Sequence, residues 1–162
     1  MEEKDTQPAD KVERVVKTYG TLLFRICLIM LGTQSDAEDV VQNTFLQYMQ
    51  KAPTFQNQEH EKAWLIKVAT NQCRNVRRFW QAHPQSDLTD VQLYASDPES
   101  CGMMEALMKL PEKFRIVMVL YYVEEYRVEE IARIIGKTAS AVKMRLCKGR
   151  KLLEEIYRKE YL

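Results

Sequence analysis

Basic side chains are concentrated in two stretches of this sequence that contain no acidic residue, residues 62–86 and 139–151. Cationic side chains along a helix form contacts with phosphate groups, so these stretches favour binding of nucleic acid. A solvated helix face has the same composition, and either stretch alone leaves both interpretations open. The basic residues are Lys62, Lys67, Arg74, Arg77 and Arg78 in the first stretch and Lys143, Arg145, Lys148, Arg150 and Lys151 in the second.

Residue patterns typical of an enzyme do not occur in the sequence. It has no glycine-rich phosphate loop, no His-Glu-x-x-His motif and no combination that suits a nucleophilic triad. Four cysteines without a Cys-x-x-Cys pair, together with two histidines, disfavour a zinc site. We therefore expect no enzymatic activity, no cofactor, no metal and no small-molecule substrate, and we expect reduced thiols, as in a cytosolic protein.

The charge is unevenly distributed along the 162 residues. Lys and Arg total 24 and Asp and Glu total 23, so the chain as a whole is not a strongly basic nucleic-acid binder. Residues 86–103 hold four acidic side chains and no basic one, and they separate two neutral-to-basic blocks. The longest apolar run, residues 26–31, is far shorter than the roughly 20 residues that span a bilayer, so we expect a soluble protein.

Hydrophobic periodicity predicts an all-α protein. Apolar residues recur at steps of three and four over residues 10–31, 36–51 and 61–81, and again over 128–135 and from about 139 onwards. No stretch alternates as a strand would. Residues 84–103 show no sustained period, which is typical of a linker.

Four further predictions concern the ends and the faces of these helices. Ser35 and Glu38 have the spacing of a capping box at the start of the second helix. Met49 falls on the predicted buried face of that helix, and Tyr121 falls on the predicted core face of a helix that starts at Pro111. The segment before residue 128 lacks a good N-cap residue, so the helix start there is expected to fray or shift.

The strongest local pattern is a helix-turn-helix candidate at residues 128–146. A short helix with a small residue, Ala132, ends at Gly136, and a second helix follows a tight turn. Val142 and Leu146 on the second helix point to one side, where they suit a core. The other side of this helix suits the major groove of DNA and carries Lys143, Met144, Cys147 and Lys148.

With this motif in place, the chain resembles a bacterial RNA polymerase sigma factor of the sigma-70 family, extracytoplasmic-function (group 4) type. Residues 36–45 and 63–71 resemble sigma region 2, and Leu110-Pro111 with residues 122–155 resemble region 4. The resemblance implies two small helical domains joined by a flexible acidic linker. Region 2 would occupy residues 1–83, the linker 84–103 and region 4 residues 104–162.

The resemblance implies two binding surfaces in region 2. The second helix would dock on the clamp coiled coil of the largest subunit of core RNA polymerase. The third helix and its preceding loop would recognise the minus-ten promoter element as extracted, single-stranded bases. The implied core-polymerase contacts are Asp39, Gln42, Asn43, Leu46 and Gln47. The implied minus-ten contacts are Asn57, Gln58 and Glu59 for a flipped base and Asn71, Arg74, Asn75 and Arg78 for the path of the strand.

Region 4 would by the same resemblance read the minus-thirty-five element as duplex DNA. Lys143 could donate to guanine, while Met144 and Cys147 could contact thymine methyl groups. Ser140, Arg145 and Lys148 suit phosphate positioning. Met144 and Asn75 depart from the residues common in the family, as does the turn at residues 138–141, so the promoter sequence does not follow from the resemblance.

The implied function is promoter-specific transcription initiation in a stress or envelope-signal regulon. The implied partners are core RNA polymerase, promoter DNA and an anti-sigma factor, which can hold a cytoplasmic sigma factor at the inner face of the membrane. Two alternatives stay open from the residues alone. One is an autonomous helix-turn-helix regulator whose first 82 residues dimerise or sense a signal. The other is a helical protein-interaction module with incidental basic patches.

Overall fold

The computed structural model describes residues 8–82 and 98–161. The regular structure in these residues is helical, so the predicted all-α fold is confirmed. We call α1–α3 the amino-terminal bundle and α4–α7 the carboxy-terminal bundle. The helices are α1 (Pro8–Leu31), α2 (Gln34–Lys51), α3 (Gln58–Ala82), α4 (Pro98–Met108), α5 (Glu112–Met118), α6 (Val128–Ile135) and α7 (Ala139–Tyr161).

The amino-terminal bundle forms because each helix carries an apolar stripe. Leu23 and Ile26 of α1 and Leu65 of α3 are fully buried. Val40 and Tyr48 bring α2 onto the same core. These residues recur at helical spacing, which is why the sequence pattern located the three helices.

Two of the sequence details for α2 are wrong. The N-cap is Thr33 rather than Ser35: its hydroxyl accepts a hydrogen bond from the Asp36 amide at 3.4 Å, so the helix starts two residues earlier than predicted. Met49 is 61% exposed rather than buried. It lies next to the buried stripe on the helix circumference, where periodicity alone does not distinguish the edge of the stripe from its centre.

A buried carboxylate links the three helices of this bundle. Glu61 of α3 is 5% exposed and accepts a hydrogen bond from the Tyr48 hydroxyl at 2.9 Å. Arg14 of α1 donates to both Glu61 oxygens at 3.2 Å. Burial, followed by the bond to Glu61, raises the pKa of Tyr48 to about 12. The buried charge is therefore paired and hydrogen-bonded, as such groups must be.

Stability is expected to fall as the pH rises from 10 to 12. The folded protein keeps the Tyr48 proton up to about pH 12, whereas the unfolded chain releases it near pH 10, so unfolding is favoured across this window. In urea titrations, Tyr48→Phe should be less stable than the wild type at pH 8 and lose less stability between pH 10 and 12. Burial also raises the pKa of Tyr19 and Tyr126, so part of the decline remains. An equal loss of stability between pH 10 and 12 in the wild type and in Tyr48→Phe would contradict the prediction.

The carboxy-terminal bundle is built around α5 and α7. Helix α5 continues as a π-helical turn, Val119–Val123. A π turn adds a residue and shifts the register of the side chains. Tyr121 is consequently 36% exposed, so its predicted place in the core is wrong. The fully buried core residues include Val117, Val119, Leu120, Ile131 and Val142.

Helix α4 begins at Pro98, within the residues predicted as linker. The remainder of that prediction, residues 84–97, lies outside the described residues. Among the residues that the structure describes, no helix is long and apolar enough to cross a membrane.

Gly149 lets α7 approach α5 closely. A β-carbon at this position would lie 3.2 Å from Cγ and Sδ of Met118 and 3.5 Å from the β-carbon of Phe114. Gly20, also within a helix, has nothing within 4 Å of such a β-carbon. Gly20 is therefore a control position for substitutions at Gly149.

Gly149→Leu is expected to destabilise the protein by about 1–3 kcal/mol, because the added side chain has no room between α5 and α7. Gly20→Ala should instead stabilise it by about 0.5–1 kcal/mol, because alanine favours a helix and meets no neighbour. Thermal or urea unfolding would measure both. Two changes of the same sign would contradict this account of the packing.

Arg115 of α5 joins the two bundles from within the core. It is 1% exposed, and its guanidinium donates to the carbonyl oxygens of Met30 (2.9 Å) in α1 and Leu107 (3.1 Å) in α4. It also donates to the carbonyl oxygens of Leu110 (2.8 Å) and Met108. Burial lowers the pKa of Arg115 to about 9, so the side chain remains cationic at neutral pH. One side chain thereby provides donors to carbonyl oxygens at the ends of α1 and α4, and the Leu107 oxygen also accepts from the Leu110 amide at 3.2 Å.

Candidate nucleic-acid interface

Local hydrogen bonds hold the turn between α6 and α7. Gly136 ends α6 with a φ of 70°, a left-handed conformation that glycine adopts without strain. The Thr138 hydroxyl then accepts from the Ala141 amide at 3.1 Å and caps α7. The expected fraying at the start of α6 is countered by Glu130, whose carboxylate accepts from the Arg127 amide at 3.2 Å. Glu130 thus satisfies a backbone amide at the start of α6, where none of the preferred N-cap residues occurs.

Helix α7 separates a buried side from an exposed strip. Val142 is fully buried and Leu146 is 3% exposed, which fixes the rotation of the helix. Five of the six residues predicted for minus-thirty-five contact fall together on the exposed side, which we call the α7 strip. Arg145 lies outside it and is half-buried. The strip consists of Ser140, Lys143, Met144, Cys147 and Lys148.

The chemistry of the α7 strip suits duplex DNA. Its two lysines can meet phosphates or guanine, and Met144, which is 58% exposed, offers an apolar contact. The first turn of α7 contains no acidic residue, so the positive end of the helix dipole is not neutralised there. The net charge of the chain gives no indication of the α7 strip, because the chain is nearly neutral overall.

The residues predicted for minus-ten contact form two groups on α3. Asn57, Gln58 and Glu59 are exposed at the start of the helix. Asn71 and its neighbours lie 13 residues or more beyond Gln58, about 20 Å along the helix axis. The side-chain oxygen of Asn57 accepts from the His60 amide at 2.8 Å, so Asn57 is also the N-cap of α3.

The second group on α3 is exposed, and one of its members forms an ion pair with the carboxy-terminal bundle. Asn71, Arg74 and Asn75 are exposed, and the Nε of Arg74 donates to Glu112 of α5 at 2.6 Å. Arg78 lies in α3, but its side chain is not among those described. Lys67 is exposed one turn before Asn71 on the same face. Lys67 is not among the residues predicted for minus-ten contact, although its spacing of four from Asn71 in an acid-free stretch indicated it.

A cleft of about 520 Å³ lies between the start of α3 and α6. Asn57, Glu59 and His60 line one wall, and Tyr126 and Arg133 line the other. The Nζ of Lys62 lies 4.8 Å from the centre of the Tyr126 ring, a cation–π contact. Tyr126 is 7% exposed, and its hydroxyl has no hydrogen-bond partner.

Trp64 packs mainly with other aromatic side chains rather than offering a free stacking surface. Its ring lies edge-on to Tyr48, at 6.1 Å between centroids, and to Phe55, at 5.8 Å. It is half-buried against the core. Trp64 is therefore part of the aromatic packing beside the core.

The residues predicted to contact core polymerase share the outer face of α2. Asp39, Gln42, Asn43 and Leu46 are exposed, and Gln47 is half-buried. Leu46 is 46% exposed, and Met49 extends its apolar surface by one turn. This face of α2 therefore offers an apolar centre with polar neighbours, a composition that suits a protein partner.

Comparison with known protein families gives two matches on this chain. The family profile of sigma-70 region 2 matches residues 15–81, and that of sigma-70 region 4 matches residues 103–153. The extracytoplasmic-function RNA polymerase sigma factor SigW of Bacillus subtilis is 27% identical, over 90% of this chain and 88% of its own. SigM of Mycobacterium tuberculosis is 26% identical, over 89% of this chain and 76% of its own.

Two solved structures have a similar fold. One is CnrH in complex with the cytosolic domain of CnrY, with a TM-score of 0.72, 23% identity and coverage of 92% of this chain and 88% of that one. The other is the sigma factor RpoE in complex with the anti-sigma factor NepR from Bartonella quintana. It has a TM-score of 0.72, 21% identity and coverage of 93% and 98%.

Proposed function

Because the chain belongs to the sigma-70 family of bacterial RNA polymerase sigma factors, extracytoplasmic-function type, we propose that it binds core RNA polymerase and directs promoter-specific transcription initiation. The observation that carries this proposal is the occurrence of both sigma regions, in order, on one short chain. The curated relatives are sigma factors as well, which does not favour an autonomous helix-turn-helix regulator. The chain would have no catalytic activity of its own.

The proposal assigns one binding surface to each of three helices. The exposed face of α2 would dock on the clamp coiled coil of the largest polymerase subunit. The loop before α3 and the exposed face of α3 would hold the minus-ten strand, with Lys67 as an additional phosphate contact. The α7 strip would read the minus-thirty-five element in the major groove. The proposed domain boundaries remain 1–83, 84–103 and 104–162, with α4 beginning inside the second segment.

An anti-sigma factor is the second proposed partner. Support comes from the solved relatives, since RpoE of Bartonella quintana was captured with the anti-sigma factor NepR and CnrH with the cytosolic domain of CnrY. Such a partner would keep this protein in the cytoplasm, held at the inner face of the membrane if the anti-sigma factor is itself membrane-anchored.

The test is size-exclusion chromatography with purified bacterial core RNA polymerase at moderate salt, followed by transcription of a promoter library. We expect co-elution and transcription start sites that core polymerase alone does not produce. Failure to co-elute, combined with binding of duplex DNA by the chain alone, would replace the proposal with an autonomous regulator.

A further inference from the structure

We propose that Arg150 is a phosphate contact at the end of the α7 strip and that the Tyr122 hydroxyl positions its guanidinium for that contact. Tyr122 would thus be a positioning residue for promoter binding, although it lies in the π turn that precedes the helix-turn-helix motif. The inference rests on the proposed function, because it assumes that α7 lies in the major groove of promoter DNA.

Arg150 lies beyond the α7 strip on nearly the same side of the helix as Lys143. It is exposed and follows Lys143 by seven residues, almost two full turns, so the two positions are about 20° apart around the helix axis. Along the axis they are about 10 Å apart, and the major groove is about 12 Å wide. If Lys143 meets base edges, a cation at this distance falls near the edge of the groove, where the phosphates lie.

Tyr122 provides the guanidinium of Arg150 with a neutral hydrogen-bond partner. The Nη1 of Arg150 donates to the Tyr122 hydroxyl at 2.8 Å. Tyr122 is 49% exposed, and its ring lies edge-on to that of Tyr121, with the centroids 4.8 Å apart. This bond uses one of the five guanidinium N–H groups, so donors remain for a bidentate contact with a phosphate.

No carboxylate in the described part of the chain pairs with Arg150. Glu154, one turn further along α7, pairs with Arg158 at 2.8 Å instead. Arg74 differs in this respect, since its Nε donates to the carboxylate of Glu112. A hydroxyl orients a guanidinium without neutralising it, whereas a carboxylate competes with phosphate for the same donors. Arg150 is therefore held in place with its charge available to an anion.

The dependence of promoter binding on salt distinguishes a phosphate contact from a structural hydrogen bond. Each phosphate contact contributes about −0.9 to the slope of log K against log salt concentration, whereas a bond that only supports the fold contributes nothing. The protein is the full chain, reconstituted with core polymerase. The probe is a fluorescently labelled promoter duplex selected in the library experiment, and binding is measured at a temperature too low for strand separation.

Arg150→Gln should weaken binding about tenfold and make the slope shallower by about 0.9, because one phosphate contact is lost. Arg150→Lys should retain the slope of the wild type, because an ammonium still meets the phosphate. The control is Lys159→Gln, which removes one positive charge at an exposed position nearer the end of α7 and should change neither quantity. Equal slopes for Arg150→Gln and Lys159→Gln would overturn the proposal.

Tyr122→Phe tests the positioning role of the hydroxyl. It should weaken binding about threefold without changing the slope, because Arg150 still reaches the phosphate but is no longer held. In a chain that already carries Arg150→Gln, the same change should have no further effect, because both substitutions act on one contact. A threefold loss that persists in that chain would show that Tyr122 acts independently of Arg150 and would contradict the positioning role.

Transcription by the wild-type holoenzyme separates the two possible failures. If it transcribes no promoter, the proposed function fails. If it transcribes and binds the promoter while Arg150→Gln has the slope of the control, only this inference fails. Circular dichroism and urea unfolding of the variants should match those of the wild type, which ensures that the affinities report the contact and not a loss of fold.

Discussion

Arg115→Met is expected to lower the free energy of unfolding by about 3–5 kcal/mol. Methionine fits a similar space but leaves the carbonyl oxygens of Met30, Leu107, Met108 and Leu110 without the donor that they share. Each buried carbonyl that loses its partner carries a desolvation cost. Urea denaturation followed by circular dichroism would measure the loss.

Arg133→Met provides the control for this prediction. Arg133 is exposed, so its replacement should change stability by no more than about 0.5 kcal/mol. Arg115→Lys should give an intermediate loss, because an ammonium keeps the charge but cannot direct hydrogen bonds to carbonyls on opposite sides. Similar effects of Arg115→Met and Arg133→Met would mean that Arg115 does not hold the two bundles together.

Lys143→Ala is expected to reduce promoter-specific transcription about tenfold or more while leaving co-elution with core polymerase intact. The estimate follows from the loss of one base or phosphate contact in the major groove, about 1–3 kcal/mol. Asp39→Arg combined with Gln42→Ala should do the reverse: it should abolish co-elution, because a new positive charge would lie in the proposed docking face of α2.

The two variants are informative as a pair. Promoter-library transcription and size-exclusion chromatography should assign each variant to a different step. Damage to the same step by both would show that α2 and α7 do not act as separate binding surfaces. Lys113→Ala is a suitable control for the loss of an exposed lysine in the carboxy-terminal bundle.

The sequence predicted the helices well because amphipathic periodicity is a local property. The bounds of α6 and the start of α7 agree with the structure, since Gly136 and Thr138 act through neighbouring atoms. The errors arise where another local interaction overrides the helical pattern. Thr33 replaces Ser35 as the cap, and the π turn moves Tyr121 out of the core.

The candidate site was predicted in part for the same reason. Val142 and Leu146 face the core, so the opposite strip on α7 follows from helix geometry. The partners of the arginines could not be predicted. Arg74 meets Glu112 across 38 residues, and Arg115 meets Met30 across 85. Nothing in the spacing of a charged residue indicates a partner so distant, and Arg115 has the sequence context of an ordinary surface residue.

Asn57 has a structural role that restricts which residues can replace it. Its side-chain oxygen caps α3, and only serine, threonine, aspartate, asparagine and, less well, glycine serve at such a position. Any residue type outside that set would weaken the helix that carries the proposed minus-ten surface. If Asn57 reads a base, as we propose, only these five residue types can stand at this position and alter base preference without weakening α3. Asn57→Asp, which keeps the cap and removes the amide donor, is then expected to change base preference with little loss of stability.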